Sequence, residues 1–167
     1  MKKNYFLPIF TILLITLQSC IVSNKPNVNY LSDLDYKGAS SEVIAVNLPM
    51  WMAKPFVKKA LRQDAESQEV INLVKKIKKI RVMTLQNPKQ NLVKNLQEKL
   101  KTNNFEEWMT VKHDGDNVNI NVQQNQDNIK KMLLIVHSKS ENQIVLVDLK
   151  TDLSPEQLIK LLSSYQD

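Results

Sequence analysis

The chain has 167 residues, with 23 lysines and arginines against 17 aspartates and glutamates, two histidines, two glycines and one cysteine. One cysteine cannot close an internal disulfide, two glycines cannot build a Gly-rich phosphate loop, and two histidines are thin material for a metal centre that needs three or four converging ligands. The formal charge of +6 is mild; it suits a surface facing anionic headgroups or glycans, and no nucleic-acid partner is expected.

The chain opens MKKNYFLPIFTILLITLQSC, two lysines followed by about thirteen largely apolar residues. A bilayer-spanning helix needs roughly twenty, whereas this length and flanking charge suit a signal peptide. Pro8 also disfavours a spanning helix. The run ends in Leu17, Gln18, Ser19 and Cys20, which resembles a bacterial lipoprotein lipobox: Leu three residues before the cysteine and a small residue just before it. The resemblance implies cleavage before Cys20, a diacylglycerol on its thiol and an acylated new amino terminus. Two or three acyl chains hold a protein stably on a membrane, where one binds marginally. Residues 1–19 are thus expected to be a signal peptide; with Lys2 and Lys3 removed, 148 residues carry a formal charge of +4.

Residues 20–41 are rich in Asn and Ser and show little periodicity, and are expected to form the lipidated terminus and a flexible tether, spanning on the order of 25 Å. A single domain over 42–167 follows. Val43–Leu48 is expected as a short strand, and Pro49 begins a helical piece that Pro55 kinks or restarts. SQEVINLVKKIKK reads as a helix with Val70, Ile71, Val74 and Ile77 at helical spacing, and IRVMTL, residues 80–85, as a strand. Asn87 and Pro88 have the chemistry of a helix cap and first residue, followed by an apolar stripe of Leu92, Val93, Leu96 and Leu100.

From residue 105 the period changes from 3.6 to 2. Met109 and Val111 share one face of a strand, Val118, Ile120 and Val122 one face of the next, and Asp114-Gly115 supplies the turn. IKKMLLIVH is apolar on both faces, as a central strand would be, with QIVLVDL as its hairpin partner. Ser154, Pro155 and Gln157 form a capping-box pattern ahead of Leu158, Ile159, Leu161, Leu162 and Tyr165, which are expected to face the core. The expected architecture is α+β: one mostly antiparallel sheet of four to six strands with helices packed on it.

The motifs VKKIKKIRVMTL (74–85), VNLPMWM (46–52) and EEWMTVKHDGDNVNINV (106–122), placed behind a lipobox, resemble the small Bacteroidetes lipoproteins grouped as domain of unknown function 4252. The resemblance spans about residues 42–150 and implies fold and envelope location; it brings no catalytic residues.

No catalytic constellation is evident and no cofactor is expected. His113 lies near Asp114 and Asp116 at a hairpin end, and His137 ends a central strand; neither spacing demands a metal. Glu106 and Glu107 point to opposite faces of a strand, no Gly-x-Ser-x-Gly elbow exists, and Asp148 interrupts an apolar strand as a locally paired or capping residue does. Two surfaces remain as candidates. At 100° per residue, Lys75, Lys76 and Lys79 lie opposite the apolar stripe of their helix, a solvated face or a dock for lipid phosphates or an acidic partner. Met50, Trp51, Met52 and Phe56 are large adaptable groups that cover the sheet or, where exposed, contact a partner or lipid. The expected function is a noncatalytic, lipid-anchored binding or scaffold module of the cell envelope, held through acylated Cys20. The resemblance to Bacteroidetes lipoproteins, in which an acidic block near the cysteine is associated with export to the cell surface, implies an outer-membrane position facing the periplasm, since no such block follows Cys20. The alternatives are an envelope-stress or signalling accessory touching another membrane protein, and a hydrolase of an envelope polymer.

Overall fold

The computed structural model describes residues 22–32, 34–51, 53–55, 74–113 and 116–163. Its strands are β1 (Val22–Ser23), β2 (Lys37–Leu48), β3 (Lys79–Pro88), β4 (Glu106–His113), β5 (Asp116–Asn125), β6 (Asn128–Ser138) and β7 (Gln143–Leu153). Its helices are α1 (Asn29–Ser32), α2 (Leu92–Thr102) and α3 (Pro155–Ser163), with further helical residues at 50–51, 53–55 and 74–76. The strands form one sheet in the order β1-β2-β3-β7-β6-β5-β4, and every neighbouring pair is antiparallel. The antiparallel sheet with packed helices is as expected, but the described residues hold seven strands rather than four to six.

The additional strand lies in the stretch read as a tether. Val22 pairs with Val46 and Ser23 with Ala45, while Val28 and Leu31 are fully buried. The Asn27 amide donates to the Val46 carbonyl at 3.1 Å. The chain is therefore part of the fold from Val22 onward, and β2 begins at Lys37. Two-residue strands and single helical turns carry no period, so composition alone read this stretch as linker. Where β2 starts, Gly38 lies so close to β3 that a Cβ would stand 2.6 Å from the Asn87 carbonyl oxygen.

Alternation divides the apolar residues between two faces. Val43 and Ala45 of β2, Met83 and Leu85 of β3, Ile144 and Leu146 of β7, and Leu133 and Ile135 of β6 meet Leu92, Leu96 and Leu100 of α2. Val28, Tyr30 and Leu31 around α1 complete that cluster, and Tyr30 meets Phe105 edge-on at 5.1 Å between ring centres. On the other face Ile120, Val122, Ile129, Met132 and Leu153 surround Leu158 of α3. A register shift between Glu107 and Met109 places an extra residue in β4, and a bulge re-aims neighbouring side chains; Trp108 and Met109 both pack on this second cluster.

Three local expectations are corrected. Asn87 and Pro88 do not open a helix: they end β3, Asn87 with φ 48°, and α2 starts at Leu92. Asn87 instead bonds across to the next hairpin, its N–H to the Asn142 carbonyl at 2.9 Å. The lysine-rich helix does not reach residue 79, because the Lys78 N–H already bonds the Lys150 carbonyl at 2.7 Å and Lys79 begins β3; sheet pairing overrides a helical spacing in KKIKKI. Ile159 is 58% exposed rather than core-facing. The capping box of α3 is formed: Ser154 N–H donates to Gln157 Oε1 at 3.1 Å and Gln157 N–H to Ser154 Oγ at 3.4 Å.

Candidate functional site

The register brings one end of each strand to a common rim. The end of β2 adjoins the start of β3 through Leu48 and Ile80, and β3 adjoins the end of β7 through Lys79 and Lys150. Lys150 in turn lies opposite Lys131 near the start of β6. Directly opposed residues share a face, so Lys79, Lys150 and Lys131 form a row across three adjacent strands. Like charges placed this way oppose pairing by roughly 0.2–1 kcal/mol each. Lys131 is steadied by Tyr30, donating to its hydroxyl at 3.0 Å and sitting 5.7 Å above its ring. Lys79 and Lys150 are exposed, and among the described residues neither has an ion-pairing carboxylate.

Lys75 and Lys76 are exposed in the helical residues just before this rim. Lys76 Nζ donates to Gln157 Oε1 at 3.0 Å, which ties the segment to the cap of α3. Asp152 takes Lys78 Nζ at 3.2 Å on one oxygen and Lys130 Nζ on the other. Those two ammonium groups, Lys130 foremost, hold the Asp152 carboxyl below its usual value. The three predicted lysines are thus all at the surface and at one end of the sheet, although Lys79 arrives there as a strand residue. Lys150 and Lys131 were missed because they are far away in sequence; a three-strand register is needed to see the row.

Trp51 stands at the same rim, three residues beyond Leu48, and is 78% exposed. Met50 is buried and joins the interior instead, a correction to the proposed four-residue patch. Met52 and Phe56 lie outside the described residues, as do Leu17, Ser19 and Cys20. His137 is half-buried at the opposite end of the sheet, where its strand ends. The His113 side chain and Asp114 are outside the described set. Among the described residues no three His, Cys, Asp or Glu side chains converge as a metal site requires, and no helix is long and apolar enough to cross a membrane.

Behind the lysine row lies a polar interior. Asp148 is 3% exposed and ion-pairs with Arg81 directly across β3 and β7. Arg81 also donates to Asn29 Oδ1 at 3.3 Å. The aspartate that interrupts an apolar strand is therefore matched by the arginine that interrupts its neighbour, a partner 67 residues away rather than a local one. Asn119 and Asn121 of β5 are buried on the same face as Ile135 and Leu133. Asn119 donates to Thr110 Oγ1 at 2.7 Å.

The domain of unknown function described as DUF4252 matches residues 36–161. No curated protein and no solved structure matches the chain. The match covers well over half of the sequence and all strands from β2 to β7, so the chain belongs to the DUF4252 family.

Proposed function

We propose that the protein is a noncatalytic, lipid-anchored module of the bacterial cell envelope, held by acyl chains on Cys20. The observation that supports this reading most strongly is the sequence start: two lysines, about thirteen apolar residues, then Leu17, Ser19 and the chain's single cysteine. A thiolate is the nucleophile that lipid transfer requires, and two or three acyl chains give an attachment that one chain does not. The folded domain then serves as a binding or scaffold unit, and the basic rim, already rich in lysine, is its surface for anionic groups. The inferred position is the outer membrane, facing the periplasm.

Mass spectrometry of protein purified from its native membrane tests the anchor. The expected result is a mature chain beginning at acylated Cys20, and a Cys20→Ser variant that leaves the membrane fraction. A free thiol in membrane-bound protein overturns the reading. Photocrosslinking from the exposed position 111 in living cells then separates a scaffold with many neighbours from an accessory of one membrane protein, which gives a single regulated adduct.

A further inference from the structure

The geometry points to a second, noncovalent membrane contact: the rim bearing Val22, Trp51 and the lysine row lies directly on the bilayer, its lysines against lipid phosphates. The inference rests on the Cys20 anchor proposed above and adds an orientation to it.

Cys20 precedes Val22 by two peptide links, and consecutive Cα atoms are 3.8 Å apart, so at most about 7.6 Å separates the lipidated residue from the sheet. Val22 is fixed by its pairing with Val46. In that antiparallel register Ser23 falls back on Ala45, so Val22 is the residue of β1 nearer to Asn47 and Leu48, the end of β2. A tether of some twenty residues would allow stand-off; about 7.6 Å does not, and the acyl chains hold this rim at the headgroup layer.

The rim itself has the chemistry of a membrane surface contact. Val22 is 51% exposed and shares a face with Ile44, 43% exposed, two residues along β2 from its partner. Trp51 follows Leu48 by three residues and is the most exposed large apolar side chain described. Tryptophan suits the membrane–water interface, with an apolar body and a polar N–H. Lys79 and Lys150, with Lys131 behind them, repel one another in the free protein, and anionic phosphates relieve that repulsion. Exposed lysines 75, 76 and 78 precede Lys79 in the chain, Lys76 bonded to Gln157 and Lys78 paired with Asp152. Val22 lies on the face of the sheet opposite the lysine row, so the two are presented together only at the end of the sheet; met end-on, that rim, with its interfacial tryptophan, fits an anionic phospholipid surface.

The test uses full-length acylated protein in phosphatidylethanolamine–phosphatidylglycerol vesicles, with acylation checked by mass. The chain has two tryptophans, so Trp108→Phe leaves Trp51 as the reporter. Should Trp108→Phe misfold, the difference between wild type and Trp51→Phe gives the same signal. Docking predicts quenching of Trp51 by brominated lipid and protection from aqueous iodide. Lys79→Gln and Lys150→Gln each lower the docked-to-undocked ratio by about fivefold, with circular dichroism unchanged. Trp51 quenched by iodide and not by brominated lipid, in protein that is acylated and vesicle-bound, overturns the docking and leaves the anchor standing. Shielding from both quenchers, which means a protein covers Trp51, also overturns it. Absence of the acyl group removes the anchor and the docking together.

Discussion

Leu133 and Leu134 are neighbours in β6 with opposite surroundings. Leu133 points into the face closed by α1 and α2 and is fully buried. Leu134 points to the face carrying α3 and is half-buried. The same division runs through β7, where Ile144 and Leu146 are buried while Val145 and Val147 are half-buried. One face is thus a packed interior that includes a buried ion pair, and the other is buried around Leu158 but half-open at Leu134, Val145 and Val147. The contrast shows that an apolar residue in these strands does not by itself mark the core; the covering helix does.

Asp148→Ala is the strongest way to break the packed face. It leaves Arg81 without its carboxylate, and loss of one member of a buried pair costs about 3–5 kcal/mol; the lower end is expected because Arg81 keeps some solvent contact. The urea midpoint should fall sharply, and partial recovery in the Asp148→Leu, Arg81→Met double variant would show that the lost partner, rather than lost volume, is responsible. Leu133→Ala should cost about 3 kcal/mol through transfer and cavity terms, against about 1 kcal/mol for Leu134→Ala. Equal losses at the two positions would erase the distinction between the faces.

The smallest effect concerns the ion pairs at the rim. Lys130 and Lys78 depress the Asp152 pKa below its ordinary 3.8, so its stabilising contribution is present above that value and fades as pH falls through the lowered one. Asp152→Asn should therefore be slightly less stable than wild type at neutral pH and converge with it in strong acid. A gap that widens on acidification would contradict the pairing.

Much of the sheet was legible in the sequence because alternation is a direct imprint of the pleat. Met109 with Val111, and Val118, Ile120 and Val122, identified β4 and β5, and a run apolar on both faces identified β6 as an interior strand. The cap of α3 was legible as well, since Ser154 and Gln157 act within one turn. What was not legible depends on distant pairing. Val22 and Ser23 are too short to carry a period. Lys79 switched from helix to strand because Lys150 was waiting across β3 and β7. Arg81 and Asp148 gave no local sign that they belong together. The candidate site shared this limit: Lys75, Lys76, Lys79 and Trp51 were visible as separate features, while their meeting at one rim follows only from strand order.

The rim can face the membrane only if the described residues between Val22 and Tyr36 are built into the domain rather than hanging from it. Hydrogen exchange of the full-length acylated protein tests this most directly through the Leu31 and Leu34 amides, which donate to the Val28 and Leu31 carbonyls at 3.1 and 3.0 Å. The structure predicts that they exchange far more slowly than in a free peptide, with protection approaching that of β6 and β7. Exchange of both at free-peptide rates, while β6 and β7 stay protected, would return this stretch to a loose tether and detach the rim from the membrane.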